Sequence, residues 1–321
     1  MKIIVTGGLG FIGSAFIRRI LEFKNINVYN IDKLSYASFN HNKYFKKKKN
    51  YKFYKIDISN KKKIKIIIQT IKPDIIVNFA AETHVDRSIK DPFIFYRTNV
   101  LGTLNILDSL NNFNLKNKTK FIQISTDEVY GSSSKNKPFT ENSKYYTNSP
   151  YSASKAAADH LVRSYNKTFK IKTIIVHPSN NFGPYQYLEK FIPVIILSCL
   201  KNKKIPIYGK GLQIRDWLFV DDTAEAIIRI VKKGKIGENY NITTRNLYRN
   251  IDLVKLICKI YDRLKKNNTS SSELISFVDD RPGHDFKYNI SNNKIKKVGW
   301  KYKNNFIKKI THTVSWYIKN Y

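Results

Sequence analysis

Apolar residues in the first half of the chain come in short unbroken runs separated by stretches of helical period. The runs are "KIIVT" (2–6), "INVYNI" (26–31), "YKFYKI" (51–56), "DIIVNFA" (74–80), "KFIQIS" (120–125) and "KTIIVH" (172–177). They are rich in β-branched residues and too short for helices, as strands covered on both faces are. Between them, residues 11–23, 60–71, 92–113 and 150–169 carry apolar side chains at amphipathic helical spacing. This alternation predicts a doubly wound, Rossmann-type α/β sheet, mostly parallel and about seven strands wide. Beyond residue 178 the rhythm breaks, with Pro178, Pro184, Pro193 and Pro206 punctuating shorter pieces. The expected organisation is a dinucleotide-binding domain over 1–178 that carries the catalytic residues. A smaller α/β lobe over 179–321 would receive the substrate, with some segments returning to the first domain. Lys46–Lys49 and "KKNNTSSSE" (265–273) read as surface loops, and there are no repeats.

Composition changes this picture little. With 42% hydrophobic and 13% aromatic residues, the 321-residue chain has ample material for a core. The net charge of +34 would suggest nucleic acid or an anionic membrane. The lysines, however, accompany equally dense Asn and Ile along the whole chain, as an A/T-biased coding sequence would give, and no nucleic-acid motif goes with them. We therefore expect neither nucleic-acid nor membrane binding. Cys199 and Cys258 lie far apart without metal-ligand spacing. They read as buried thiols of a cytoplasmic protein, and no metal is expected. The apolar run in "MKIIVTGG" is too short for a signal peptide, and "FIPVIILSCL" is about half of a bilayer span.

The chemistry-bearing motifs sit where strands end. "VTGGLGFIGS" sets Gly7, Gly10 and Gly13 between the first strand and the first helix. Glycines there let backbone approach a pyrophosphate, which rests on amide N–H groups at the positive end of the helix. Asp32 closes the second strand, where a carboxylate accepts from ribose hydroxyls and repels a 2′-phosphate, so NAD is expected rather than NADP. Asp57 closes the third strand within reach of an adenine edge, although an ordinary loop aspartate explains it equally well.

"SPYSASKAAADHL" puts Tyr151 and Lys155 one turn apart on one helix face, behind a Ser149–Pro150 start. A tyrosine of pKa about 10 is a poor base at neutral pH. A neighbouring ammonium and an oxidised nicotinamide are expected to bring the phenol down. In "ISTDEVYGSS" (124–133), a strand ends in Ser125 and Thr126, and two acids follow, Asp127 and Glu128. Adjacent acids repel, yet these sit at the end of the strand that should face nicotinamide. Burial and like charge are expected to raise one carboxyl, as a general acid requires.

"TGGLGFIGS", "STDEVYG" and "YSASKAA" together resemble the extended short-chain dehydrogenases that act on nucleotide sugars, and within them the dTDP-glucose 4,6-dehydratases. "IDKLSYAS", "AAETHVDRSI", "TNVLGT", "PSNNFGPYQYLEKFIP", "IPIYGKGLQIRDWLFVDD" and "DDRPGHDFKYNI" extend the resemblance over nearly the whole chain. It implies an NAD-dependent hydro-lyase that makes a 4-keto-6-deoxy sugar nucleotide for deoxysugar (rhamnose-type) and cell-surface polysaccharide synthesis. Tyr151, helped by Thr126 and Lys155, would take the 4-hydroxyl proton as hydride leaves C4. Asp127 would be the acid for the 6-hydroxyl and Glu128 the base at C5, with the hydride returning to C6. The resemblance places NAD against Gly7, Gly10, Phe11, Ile12, Gly13, Asp32, Lys33, Leu34, Ser35, Asp57 and Ile58. It adds Phe79, Ala80, Ala81, Glu82, Thr83, Thr98, Tyr151, Lys155 and Asn181. Substrate contacts fall on Thr83, Thr126, Asn180, Lys190, Phe191, Pro206, Ile207, Tyr208, Arg215, Asn250, Asp280, Arg281, Pro282, Gly283 and His284. Arg215 and Arg281 offer donors for a diphosphate, and "IPIY" a surface for the base. His84, Asp86 and Arg87 read as a structural network beneath the site. The helices near 98–113 and 150–169 resemble those through which relatives dimerise, so a homodimer is expected.

The chain departs from that pattern at Ser38, where glycine is usual, at His177, where arginine is usual, and at Thr243–Thr244, which replace two glycines. It also stops soon after "TVSWYIKNY", so a C-terminal substrate contact of longer relatives is expected to be missing. Three other readings stay open: a dehydratase for a UDP-, CDP- or GDP-linked sugar, a 4-epimerase with incidental acids, and a non-catalytic Rossmann protein holding nucleic acid.

Overall fold

The computed structural model describes residues 1–38, 42–113, 115–133, 137–302 and 304–321. The apolar runs form six strands: β1 (Lys2–Thr6), β2 (Asn27–Asp32), β3 (Tyr51–Lys55), β4 (Ile75–Asn78), β5 (Lys120–Ile124) and β6 (Lys172–Pro178). Past the proline-rich boundary follow β7 (Asn180–Phe182), β8 (Ile205–Tyr208), β9 (Ile214–Phe219), β10 (Asn239–Ile242), β11 (Leu247–Arg249) and β12 (Ile275–Val278). The main sheet has seven strands in the order β10-β6-β5-β4-β1-β2-β3, and every pairing in it is parallel.

The helices of the first half are α1 (Phe11–Ile20), α2 (Asn42–Phe45), α3 (Lys61–Ile71), α4 (Val85–Lys90), α5 (Pro92–Phe95), α6 (Gly102–Asn112) and α7 (Pro150–Phe169). Residues 92–113, expected as one helix, are α5 and α6 joined by a π-helical stretch, Tyr96–Leu101. That stretch buries Asn99, whose Oδ1 accepts from Glu82 N at 2.9 Å and whose Nδ2 donates to Ser154 Oγ at 2.9 Å. A wide turn therefore ties the loop after β4 to α7, as such bulges do beside functional sites. α7 starts as expected: Ser149 and Ser152 form a reciprocal cap with Pro150 in the first turn.

The second half supplies α8 (Phe191–Leu200), α9 (Val220–Lys233), α10 (Asn250–Lys265), α11 (Asn293–Lys297) and α12 (Phe306–Asn320). α9 packs on α1, and β10 pairs with β6, so residues 220–242 sit on the main sheet. One sheet face is covered by α1 and α9, the other by α3, α6 and α7. A separate core gathers α8, α10 and α12 around Phe182, Ile196, Trp217 and Ile257. Cys199 and Cys258 lie in it as buried free thiols. Among the described residues, no helix is long and apolar enough to cross a membrane, and no three His, Cys, Asp or Glu gather as a metal site.

Candidate active site

Strand order reverses between β1 and β4, and a crevice opens at the carboxyl ends of strands at such a point. A cavity of about 600 Å³ occupies it and runs on into the C-terminal lobe. Gly7 turns there with φ +65°, and a Cβ on it would meet Ala80 N at 2.6 Å. Only glycine allows the turns after β1 and β4 to approach so closely. Gly10 caps α1 without a side-chain hydrogen bond, and no acid stands in the first turn. The amides of that turn are thus available to a phosphate.

Asp32 is buried at the end of β2, and burial pushes its carboxyl up against the pull of its hydrogen bonds. Oδ2 accepts from Leu9 N at 2.9 Å; Oδ1 accepts from Leu34 N at 2.9 Å and from Ser38 Oγ at 3.2 Å. A carboxylate has about four acceptor positions, so one is left for a ribose hydroxyl. Lys33, Ser35, Asp57, Ile58, Phe79, Ala80, Ala81, Thr83 and Thr98 line the same cavity, as do Phe11, Ile12, Gly13 and Asn181. Leu34 and Glu82 stand back from it. Leu34 is exposed at φ +60°, and Glu82 turns to pair with Lys33 Nζ at 2.6 Å. A glycine cradle, a free helix start and a ribose-competent acid fit NAD.

At the other end of the crevice, Thr126, Asp127 and Glu128 leave β5 opposite Tyr151 and Lys155 on α7, and all five line the cavity. Burial first, then the charges of Glu128 and Asp216, hold Asp127 well above the usual carboxylate range. Its Oδ2 is buried without a protein hydrogen-bond partner among the described residues. Burial also raises Glu128, but Arg281 and Arg215 oppose the rise. Neighbouring acids in different fields thus become unlike groups.

Tyr151 differs from expectation. Burial and the charge of Glu128 push the phenol up, and only a hydrogen bond with Thr126 pulls it down noticeably. Lys155 Nζ donates to Ile124 O at 2.5 Å, and burial brings the ammonium down to about 8. A further source of phenolate stabilisation in this reading is the positive charge of an oxidised nicotinamide.

The half of the crevice in the C-terminal lobe is built from β8, β9 and the segments that follow β7 and β12. Asn180, Lys190, Phe191, Pro206, Tyr208, Arg215, Asn250, Arg281 and His284 line the cavity. Ile207 does not. Along β8 burial alternates, so Pro206 and Tyr208 face outward while Ile207 packs into the lobe core. Asp280, Pro282 and Gly283 are also off the wall; Asp280 accepts from Gln213 Nε2 at 2.8 Å and holds His284 Nδ1 at 2.6 Å. Arg215 is held by the carbonyls of Ile214 and Asp285 at 2.9 and 2.7 Å and stacks over Tyr288. No carboxylate neutralises its guanidinium among the described ion pairs, whereas Arg281 pairs with Asp86 at 3.5 Å. Asp86 and Arg87 were expected beneath the site. They instead reach across it from α4, Asp86 to Tyr208 at 3.0 Å and Arg87 to Glu189 at 2.9 Å. The sequence reading missed Tyr288, whose hydroxyl lies 3.3 Å from Glu128 Oε2 and 2.9 Å from Asp285 Oδ2. No sequence signal marks a lone tyrosine of this kind.

A family profile described as GDP-mannose 4,6 dehydratase matches residues 4–313. The dTDP-glucose 4,6-dehydratase of Salmonella typhimurium is 44% identical over 337 residues, covering 100% of this chain and 93% of that one. The chain belongs to the dTDP-glucose 4,6-dehydratase family. Two solved members of this dehydratase family share the fold. The Bacillus anthracis dTDP-glucose 4,6-dehydratase, in complex with NAD, is 40% identical with a TM-score of 0.88, covering 100% of this chain and 97% of that one. The dTDP-glucose 4,6-dehydratase of Streptomyces venezuelae, with NAD and dTDP bound, is 34% identical with a TM-score of 0.93, covering 100% and 98%.

Proposed function

We propose that this protein catalyses the NAD-dependent dehydration of dTDP-glucose to dTDP-4-keto-6-deoxyglucose. One observation carries the reading: two consecutive carboxyls, Asp127 and Glu128, share a cavity wall with Tyr151, and beyond their common burial acids weigh most on the first and arginines on the second. Relatives of that name matched over the full chain support it, one solved with NAD and another with NAD and dTDP.

Tyr151 receives the 4-hydroxyl proton, and Thr126 holds the 4-oxygen beside it. NAD, when bound, takes the hydride from C4 and gives it back at C6. The C4 ketone acidifies the C5 hydrogen, which Glu128 removes; Arg281 and Arg215 keep that carboxyl closer to its basic form. Asp127, held protonated by burial, gives its proton to the departing 6-hydroxide, and water leaves. Glu128 then returns a proton to C5 as hydride arrives at C6. The proton gained at Tyr151 balances the one given up at Asp127, and no net redox change remains. Arg215, with its charge unpaired, and Arg281 hold the diphosphate, and Tyr208 and Pro206 face the base. A 4-epimerase would need Tyr151 and Thr126 but has no use for a buried acid kept neutral beside them.

We place the enzyme in the cytoplasm, at the head of deoxysugar and surface-polysaccharide synthesis. It works as a homodimer, joined through the apolar residues exposed before α6, Phe93 at 83% and Leu101 at 52%. Incubation with dTDP-glucose carrying an isotope at C4 tests the activity. Mass spectrometry should show loss of water with the label at C6. A product that keeps its 6-hydroxyl would overturn the reading.

A further inference from the structure

A cluster of buried titratable side chains next to the site takes no part in the steps above. Asp159 and His177 are both fully buried, with His177 Nε2 3.1 Å from Asp159 Oδ2. Tyr145 OH lies 2.9 Å from the same histidine nitrogen and 3.1 Å from the same carboxylate oxygen. Ser125 Oγ donates to that oxygen at 2.7 Å. A charge this deep is costly unless it is compensated, so the group calls for an account.

Asp159 stands one turn beyond Lys155 on the same face of α7. Lys155 grips Ile124 O at 2.5 Å, and Asp159 grips the hydroxyl of the next residue, Ser125. The helix therefore holds two consecutive residues of the strand end immediately before Thr126, Asp127 and Glu128. On the other side, Ser125 N donates to Val176 O at 2.7 Å, the carbonyl just before His177. The second carboxylate oxygen, Asp159 Oδ1, is buried without a hydrogen-bond partner among the described residues. Its charge is left to act through a medium of low dielectric, where an opposite charge favours the ammonium form. Burial pulls Lys155 down to about 8, and Asp159 opposes that pull.

We propose that Asp159 is a positioning residue for the reaction. Braced by His177, it locks the strand end bearing Thr126, Asp127 and Glu128 in register with Tyr151 and sets a negative charge one turn from Lys155. Other ionisable groups around the pair are Tyr130, 3.4 Å from His177 Nδ1, Arg163, which donates to Tyr145 OH at 2.9 Å, His160, whose ring packs on Tyr145, and Tyr151, which feels the Asp159 charge. Glu141 meets the cluster through Asn241, which accepts from Tyr130. The proposal builds on the dehydratase reading, but its first test does not need that reading to hold.

That test follows the titration of isotope-labelled lysine by NMR in Asp159→Asn, which keeps the shape and removes the charge. The Lys155 signal, assigned by its loss in Lys155→Arg, stands apart from surface lysines near about 10.4. It should move to lower pH by about one unit in Asp159→Asn. An unchanged titration in the folded variant overturns the counter-charge. If Asp159→Asn does not fold, Asp159→Glu, which keeps the charge on a longer arm, should leave the titration in place and slow turnover. Ser125→Ala breaks the clamp alone and should slow C4 oxidation about tenfold at every pH without moving the Lys155 titration. Unaltered oxidation in Ser125→Ala overturns the positioning role. Wild-type turnover of dTDP-glucose, measured alongside, decides the dehydratase reading separately.

Discussion

Asp127 and Glu128 are consecutive in the chain, yet Asp127 faces the like charge of Asp216 while Glu128 faces Arg281 and Arg215. One backbone step thus separates an acid from a base. Asp127→Asn keeps the shape and removes the deliverable proton. It should slow release of water about 10²- to 10⁴-fold. C4 oxidation should persist, seen as transient absorbance of reduced cofactor on mixing with dTDP-glucose. Product formation at the wild-type rate would remove Asp127 from the mechanism.

The pH profile should be bell-shaped. Glu128 must be ionised to act, and burial sets its pKa above that of an ordinary glutamate, so the acid limb lies above about 4.3. On the alkaline side, Lys155 loses its proton at about 8, and Asp127 above its own raised pKa can no longer give one. Measured kcat across pH should therefore fall on both sides. In Glu128→Gln, residual turnover should lack the acid limb; a limb that survives belongs to another group.

The same burial has a cost in stability. The folded pKa of Asp127 is raised, so its contribution is fully present below the unfolded value of about 3.9 and is lost as pH rises through the folded value. Above that unfolded value the native state must hold a proton that the unfolded chain releases, and above the folded value it carries a buried charge; both cost stability. Asp127→Asn should then melt a few degrees higher than wild type, about 1–2 kcal/mol. The gain should vanish in acid, as calorimetry across pH would show.

The sequence reading reached the parts in which local pattern and tertiary burial agree. β1, β4 and β5 are buried at nearly every position because both sheet faces are covered, and their apolar runs show this without knowledge of neighbours. β10 escaped because "NYNI" has two polar positions in four and joins the sheet from beyond the proline-rich boundary. Ile207 was drawn toward the substrate with its motif, although strand period alone sends it to the core between Pro206 and Tyr208. The field at Tyr151 was misread for a different reason. Spacing places Lys155 on the same helix face but cannot reveal that one of its N–H groups goes to Ile124 O or that Tyr151 is buried beside Glu128. Tyr288 joins Glu128 from 160 residues away, a distance over which one sequence carries no signal.

Ser38 is a departure whose effect can be measured. Its hydroxyl donates to Asp32 Oδ1 at 3.2 Å and helps hold the carboxylate proposed for the ribose. Ser38→Ala should weaken NAD binding about two- to tenfold, as loss of one ordinary hydrogen bond that only braces the binding group does. Asp32→Ala should weaken it further and narrow the preference over NADP, because the charge opposing a 2′-phosphate is gone. Calorimetric titration of cofactor-free protein checks both. Unchanged NAD affinity in Asp32→Ala would contradict the ribose assignment.

Phe93 precedes and Leu101 ends the π-helical stretch whose inner side buries Thr98 and Asn99. An apolar surface so close to the site links assembly to catalysis if two copies meet there. Thr98 lines the cavity, and Asn99 ties the loop after β4 to α7, so loosening the outer side reaches both. Leu101→Asp places a charge on that face without removing any residue of the site. It should shift the protein from dimer to monomer in light scattering and lower turnover about tenfold, with product identity unchanged. Charge repulsion between two lysine-rich copies works against association at low salt, so the wild-type dimer should tighten as ionic strength rises. A wild-type protein that is monomeric at every salt concentration would refute the assembly.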